Sequence, residues 1–265
     1  MRRTSLLPPG RSRHLIAAGT ILVTMACSDF TSSKSFKPDP RLPTHDQLAA
    51  ALLAARNTDN GGFNLDMWAS VVDREGRVAA VAFTGEKEGD QWRGSRVISA
   101  QKANTANAFS LPGLALSTAN LYAASQPGGT LFGLQESNPV DPDVAYGGDE
   151  ADYGTDRDFM IGKRIGGINV FGGGLALYSS DGEFIGGLGV SGDASCADHN
   201  IAWKTRDNLQ LDFVPAGVAD GGADDNIIYD IDSTGVSASG FGHPECSASA
   251  TQIGEALPKD FPIGH

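Results

Sequence analysis

The sequence predicts an α+β protein, one five-stranded antiparallel sheet covered by helices. Three observations carry this. Residues 67–72 and 77–83 flank the turn Asp73-Arg-Glu-Gly76, and residues 175–178 and 183–190 flank the turn at 179–182, so each pair reads as a hairpin. Residues 166–171 supply a further strand ahead of the second hairpin. Helical sequence lies before, between and after the hairpins, which points to one sheet with helices packed on it.

The elements follow in order. Thr44-His-Asp-Gln47 is a capping-box pattern, and Leu48, Ala51, Leu52 and Ala55 then recur at helical spacing. Residues 95–109 are rich in small side chains, with Ala100, Ala103 and Ala106 at threes, which lets a helix lie close against a sheet. A shorter helix is expected at 116–125 and a non-periodic acidic loop at 138–158. Residues 195–209 form the last helix, with Ser195-Cys-Ala-Asp198 as its capping box. Beyond Leu211 the chain is Gly- and Asp-rich, and Ile227, Ile228, Tyr229 and Ile231 are the part of it expected to pack.

The domain plan is therefore a signal peptide at 1–26, a flexible tether at 27–43, a folded domain at 44–211 and an extension at 212–265. Arg2, Arg3, Arg11 and Arg13 precede the apolar run 15–26, which is too short to span a bilayer and fits a secretory segment. Ala26 before Cys27 resembles a lipoprotein cleavage site, with Thr24 departing from the usual pattern; cleavage leaving Cys27 unmodified is the alternative. The Arg2-Arg3 pair also faintly resembles a twin-arginine signal. Export would place the protein at the cell envelope, in the periplasm or on the surface, touching the membrane only through its anchor.

The 265-residue chain has 20 Lys and Arg against 32 Asp and Glu, a formal charge of −12. Loss of residues 1–26 removes four arginines and no acid, leaving 16 basic residues against 32 acidic ones. So acidic a surface repels nucleic acid and anionic lipid. With Cys27 used for lipidation, Cys196 and Cys246 remain, and an exported chain can oxidise them to a disulfide; two buried thiols are the alternative. Closing that loop of about 50 residues is worth roughly 3–4 kcal/mol in the chain-entropy picture.

Gly187-Leu-Gly189-Val-Ser-Gly192 matches a dinucleotide fingerprint, with Asp212 about 20 residues on. The hairpin before it argues against that reading, because the sheet there is antiparallel and no further βαβ unit follows. The glycines then serve close helix–sheet packing or close ligand approach.

Ile98-Ser-Ala-Gln-Lys102-Ala103-Asn-Thr105-Ala106, Gly172-Gly-Gly-Leu-Ala-Leu177, Asp181-Gly182 and Ile185-Gly-Gly-Leu-Gly-Val-Ser-Gly192, with Asp198 soon after, together resemble the heme-binding family that includes the HbpS and GlcG proteins and the C-terminal domain of PduO. The resemblance spans about residues 44–211. It implies a profilin-like fold, a heme cofactor, roles in heme or iron handling or redox sensing, and a homo-oligomer. The signal segment, the acidic loop and the extension carrying Gly242-His-Pro-Glu-Cys246 depart from short family members.

Heme iron takes His, Cys, Met or Tyr. No Cys-x-x-Cys-His is present, so covalent c-type attachment is excluded. His199 stands in the first turn of the last helix beside the Gly-Val-Ser-Gly turn, and the Cys196–Cys246 disulfide would bring His243 near it. The pair is a candidate bis-His metal site, the alternative being surface or hydrogen-bonded histidines. Gly173, Gly174, Ser191 and Gly192 would line the ligand. Lys102 could pair with a propionate or simply be solvated. His45 reads as a first-turn helix residue and His265 as terminal. The acidic stretches 141–158 and 220–232 lack the spacing of a calcium loop and read as solvated. No Gly-x-Ser-x-Gly, His-Glu-x-x-His or Walker sequence is present, so heme degradation or another small-molecule conversion in the same cleft, and a cofactor-free interaction module, stand as rival readings.

Overall fold

The computed structural model describes residues 36–264. Helix α1 (His45–Arg56) opens with the Thr44 capping box and buries Leu48, Ala51, Leu52 and Ala55. Strands β1 (Trp68–Asp73) and β2 (Val78–Phe83) form the first hairpin, followed by α2 (Ser95–Phe109). The expected helix at 116–125 is shorter, a 3-10 turn running into α3 (Tyr122–Ser125). One more turn, α4 (Pro142–Ala145), interrupts the acidic loop. Strands β3 (Gly174–Tyr178) and β4 (Phe184–Ser191) lead into α5 (Ser195–Asn208), and α6 (Ala248–Asp260) lies near the C-terminal end.

Among the described residues the sheet has four strands in the order β2-β1-β4-β3, all antiparallel, one fewer than the expected five. The segment 166–171 is not the fifth. Gly166 and Gly167 sit at φ 66° and 78°, which takes the backbone out of the extended region. Its polar groups instead bond to α2: Asn104 Nδ2 donates to Gly167 O at 2.8 Å, and Asn169 N donates to Thr105 Oγ1 at 3.0 Å. Strand β4 pairs antiparallel with β1 on one side and β3 on the other, which rules out a nucleotide crevice at Gly187–Gly192.

Alternation along the strands sends opposite faces to different helices. Ala69, Val71, Leu188 and Val190 join Leu48, Leu52, Ile201, Ala202 and Trp203 of α1 and α5 in one core. Trp68, Val72, Val97, Ala100 and Ala103 form another between β1 and α2. The second contact is unusually close. A methyl group on Gly189 would lie 1.9 Å from Ser99 O, and one on Gly187 would lie 2.3 Å from Ala103 O. Ser70 Oγ, opposite Gly189 in the ladder, meets Ser99 Oγ at 2.8 Å and satisfies both hydroxyls within the contact.

Two further readings change. Helix α6 was not expected, although Ala250, Ile253, Gly254 and Leu257 recur at helical spacing and Ser247 Oγ caps Ala250 N at 3.1 Å. Its Leu257, with Phe261 and Ile263, packs on the α1–α5 core, so packing in the tail extends well beyond residues 227–231. The acidic stretches are also not wholly solvated. Asp158 is buried against Arg96 of α2 in a two-pronged ion pair at 2.5 and 2.9 Å.

The α2–β4 contact sets a clear expectation. Gly189→Ala should cost about 3 kcal/mol or more, because the clash is with main chain that cannot give. Gly113→Ala, where nothing lies within 4 Å, should change stability by less than about 0.5 kcal/mol. Urea denaturation of the two variants decides it.

A candidate site beneath the C-terminal segment

Strand β4 ends on Ser191, and the chain turns through Gly192 and Asp193 into α5. The expected Ser195 cap is replaced: Ala194 is the N-cap residue and contributes no side chain. Asp198 reaches back instead, Oδ1 accepting from Asp193 N at 2.9 Å. Its Oδ2 meets Lys102 Nζ at 2.7 Å, and Lys102 also donates to Val190 O at 3.1 Å. Lys102 is 2% exposed, so its ammonium binds α2 to α5 across the end of β4 and is neither solvated nor presented to a ligand. Burial pushes the Asp198 carboxyl up to about 6, with Lys102 pulling the other way.

The glycines and Ser191 face protein. A methyl on Gly174 would meet Thr118 Cγ2 at 2.4 Å and Lys102 O at 2.6 Å; one on Gly173 would meet Val190 O at 2.4 Å. One on Gly192 would meet Asp66 O at 2.4 Å, and Ser191 is buried opposite Trp68. These positions allow elements to approach each other and do not line an open cleft.

His199 and His243 are both buried, at 0% and 1% exposure. Nε2 of His199 meets Asn226 Oδ1 at 3.1 Å and the amide of Ile227 at 3.2 Å, one contact suiting each tautomer. Its Nδ1 has no partner in either case. His243 Nδ1 donates to Pro244 O at 2.8 Å, which leaves Nε2 as the acceptor facing Gly172 N at 3.4 Å. Burial lowers the His199 pKa to about 3 and that of His243 to about 4, so both rings are neutral at physiological pH. Charge on His243 would also oppose ionisation of His199. Cys196, the second residue of α5, is joined to Cys246.

Residues that the sequence did not single out hold this cover down. Arg206 of α5 and Asp225 form a two-pronged pair at 2.8 Å with both side chains at 0% exposure, and Arg206 Nη1 also donates to Ala176 O at 3.1 Å. Asn226 Nδ2 donates to Gly254 O of α6 at 2.8 Å, and Asn120 Nδ2 to Asn226 O at 2.9 Å. Nothing in the spacing of an acid-rich stretch marks Asp225 as the acid that pairs with Arg206.

Neutral imidazole is the form that binds iron, so the donor chemistry of His199 and His243 suits heme. Access does not: both rings are closed off from solvent, and three of their four nitrogens are engaged. A cavity of about 540 Å³ between α1 and residues 208–211 is lined by Arg41, Pro43, Gln47, Ala51 and Leu211 among others, with no iron-binding side chain. Among the described residues no group of three or more His, Cys, Asp or Glu could hold a metal ion.

The buried titrating groups predict how stability varies with pH. Both histidines stay neutral in the fold while the unfolded chain protonates them below about pH 6.5, so acidification removes up to about 1.4 kcal/mol per pH unit for each. Asp198 acts in the opposite sense, its raised value costing stability as pH rises from about 4 to 6. The net expectation is falling stability from pH 6.5 to 4.5. His243→Gln should nearly flatten the curve between pH 6 and 4.5, as read from denaturant midpoints.

The family described as haem degrading protein HbpS-like matches residues 43–206, more than half of the chain. No curated protein sequence matches. Among solved structures, a PduOC–heme complex is 25% identical, covering 63% of this chain and 94% of that one at a TM-score of 0.43. Klebsiella pneumoniae protein ORFY is 24% identical, with 66% and 97% covered at 0.41. A doubly substituted Streptomyces reticuli HbpS is 16% identical, with 74% and 97% covered at 0.37. With its antiparallel sheet and flanking helices, and with the match running from the residue before the first helix cap to Arg206, this chain belongs to the HbpS-like family.

Proposed function

We propose that this HbpS-like chain is exported, held at the cell envelope through a lipid on Cys27, and reversibly binds heme or a related tetrapyrrole for iron handling or sensing. The observation that carries the ligand is the pair of neutral imidazoles, His199 and His243, at the start of α5. Bound heme would supply an iron centre able to take axial nitrogen ligands. The chain's own part is to keep both rings deprotonated by burial and to exclude water around them. Lys102 fixes the end of β4 against α5 and thereby sets the position of His199. Family membership also speaks for self-association into a homo-oligomer. The disulfide speaks for export, since such bonds persist in oxidising compartments.

Hemin titration of the full chain, run under oxidising and thiol-reducing conditions, tests the ligand. A Soret band that shifts on binding and weakens in His199→Ala and His243→Ala is expected; no spectral change in either condition at stoichiometric hemin would sink the reading. The family's description favours turnover as the second reading, and loss of the band with open-chain tetrapyrrole products under reductant and dioxygen would establish it.

The anchor has its own check. Labelled fatty acid should enter the wild-type chain and not Cys27→Ser, which should leave the membrane fraction for the soluble one. Equal partitioning of the two removes the lipid.

A further inference from the structure

Residues 230–246 are bound to the rest of the protein by very little. From 231 to 241 no residue is buried, and His243 is the one side chain of the segment that is. The segment is folded mainly on itself: the Asp230 carboxylate accepts from Ser237 Oγ at 2.7 Å and Ser239 N at 2.6 Å, and Asp232 accepts from Thr234 N and Val236 N. Its attachments to the body include Ala123 N to Gly242 O at 3.1 Å, His243 N to Ile228 O at 2.8 Å and the 3.4 Å contact of His243 Nε2 with Gly172 N. Others cluster at the crosslink itself, where Cys196 N donates to Cys246 Sγ at 3.2 Å and Pro244 O lies 3.5 Å from Cys196 Sγ. The Cys196–Cys246 bond is the only covalent attachment among the described residues. A surface segment with so little buried apolar area opens locally at small cost once its crosslink is gone.

His199 Nδ1 is buried without a partner near the start of α5, and a buried polar group left unpaired weakens the closed arrangement. Asn200 Oδ1 and Tyr229 OH, also unpartnered, lie instead against Gly254 of α6, outside the segment. The His243 ring rests on Tyr122 at 5.2 Å, and Tyr122 lies 5.9 Å from the partly exposed Phe171, so lifting His243 would uncover an aromatic floor beside α5.

The two cysteines differ in the way thiol exchange requires. Cys246 is exposed, whereas Cys196 is fully buried at the N-terminal end of α5. The exposed Cys246 sulfur is the one an external thiolate can reach, so Cys196 is the leaving group.

We propose that the Cys196–Cys246 bond is a thiol-reducible latch whose opening releases residues 230–246 and presents His243, and behind it His199, as ligands. The reductant is an external dithiol. One of its thiolates attacks Cys246 Sγ, an S–S bond forms between them, and the Cys196–Cys246 bond breaks with its electron pair leaving on Cys196, which takes a proton. The second thiol of the reductant then displaces Cys246 as a thiol, so the dithiol leaves oxidised and the protein has gained two electrons and two protons. The presentation of iron ligands rests on the heme reading above; the opening itself does not.

The test follows the rate at which diethylpyrocarbonate modifies His243 in the full chain, read by peptide mass spectrometry, with amide exchange of β4 measured in parallel. Reduction should speed modification by about tenfold or more while β4 stays protected, and Cys246→Ser should behave as the reduced chain under either condition. The reduced wild type carries the test by itself if the variant fails to fold. Equal protection of His243 before and after reduction overturns the latch, and so does loss of β4 protection, which would mean that the bond holds the whole domain. Hemin separates the two ideas. If His243 is released but His243→Ala leaves the Soret titration unchanged, the latch stands and the ligand role falls; if hemin binds equally to a chain whose His243 stays protected, the latch falls and heme binding by the chain stands.

Discussion

The structure depends on how closely α2 lies on β4. Gly187 and Gly189 remove the side chains that would hold the helix away, and Ala100, Ala103 and Ala106 remove them from the other side. Main chain therefore rests almost on main chain, with Ser70 and Ser99 satisfying each other in the gap. Packing at that distance fixes where Lys102 points. The ammonium emerges at the end of β4, just where α5 begins, and captures Asp198. The beginning of α5, and with it His199 and Cys196, is thus positioned from the opposite face of the sheet.

Three buried ion pairs then organise what the central sheet does not. Arg96–Asp158 draws the acidic loop onto α2, Lys102–Asp198 ties α2 to α5, and Arg206–Asp225 draws the C-terminal segment onto α5. Such pairs recover little net energy after desolvation, but an unpaired member would be very costly, so each strongly disfavours any other placement of its segment. This explains how long stretches without regular structure hold one arrangement.

Much of the architecture was legible in the residues. Turn chemistry and alternation gave both hairpins, and the small-residue periodicity of α2 announced a close approach to the sheet. The capping box at Thr44 has a local signature that a reader can find. What stayed hidden is long-range in origin. The segment 166–171 reads as a strand by composition, yet Asn104 and Thr105, some 60 positions earlier, take the groups a ladder would need. Helix α6 was masked by the Gly- and Asp-rich sequence before it, although its own apolar spacing is regular. At the candidate site, the sequence drew attention to His199 and His243 but assigned Lys102 and the glycines to a ligand. Their partners are protein, because a single charge on a helix does not reveal which acid a distant turn will bring to it.

The start of the described chain carries a consequence for orientation. Arg41 bridges Asp39 and Glu183, so residues 39–41 are held beside the β3–β4 turn. Strand β4 runs from that turn to the start of α5, eight residues or about 25 Å away. The first described residues therefore lie at one pole of the domain, and the disulfide with its two imidazoles occupies the other. If the chain is anchored as proposed, the attachment and the candidate ligand site belong to opposite ends of the fold.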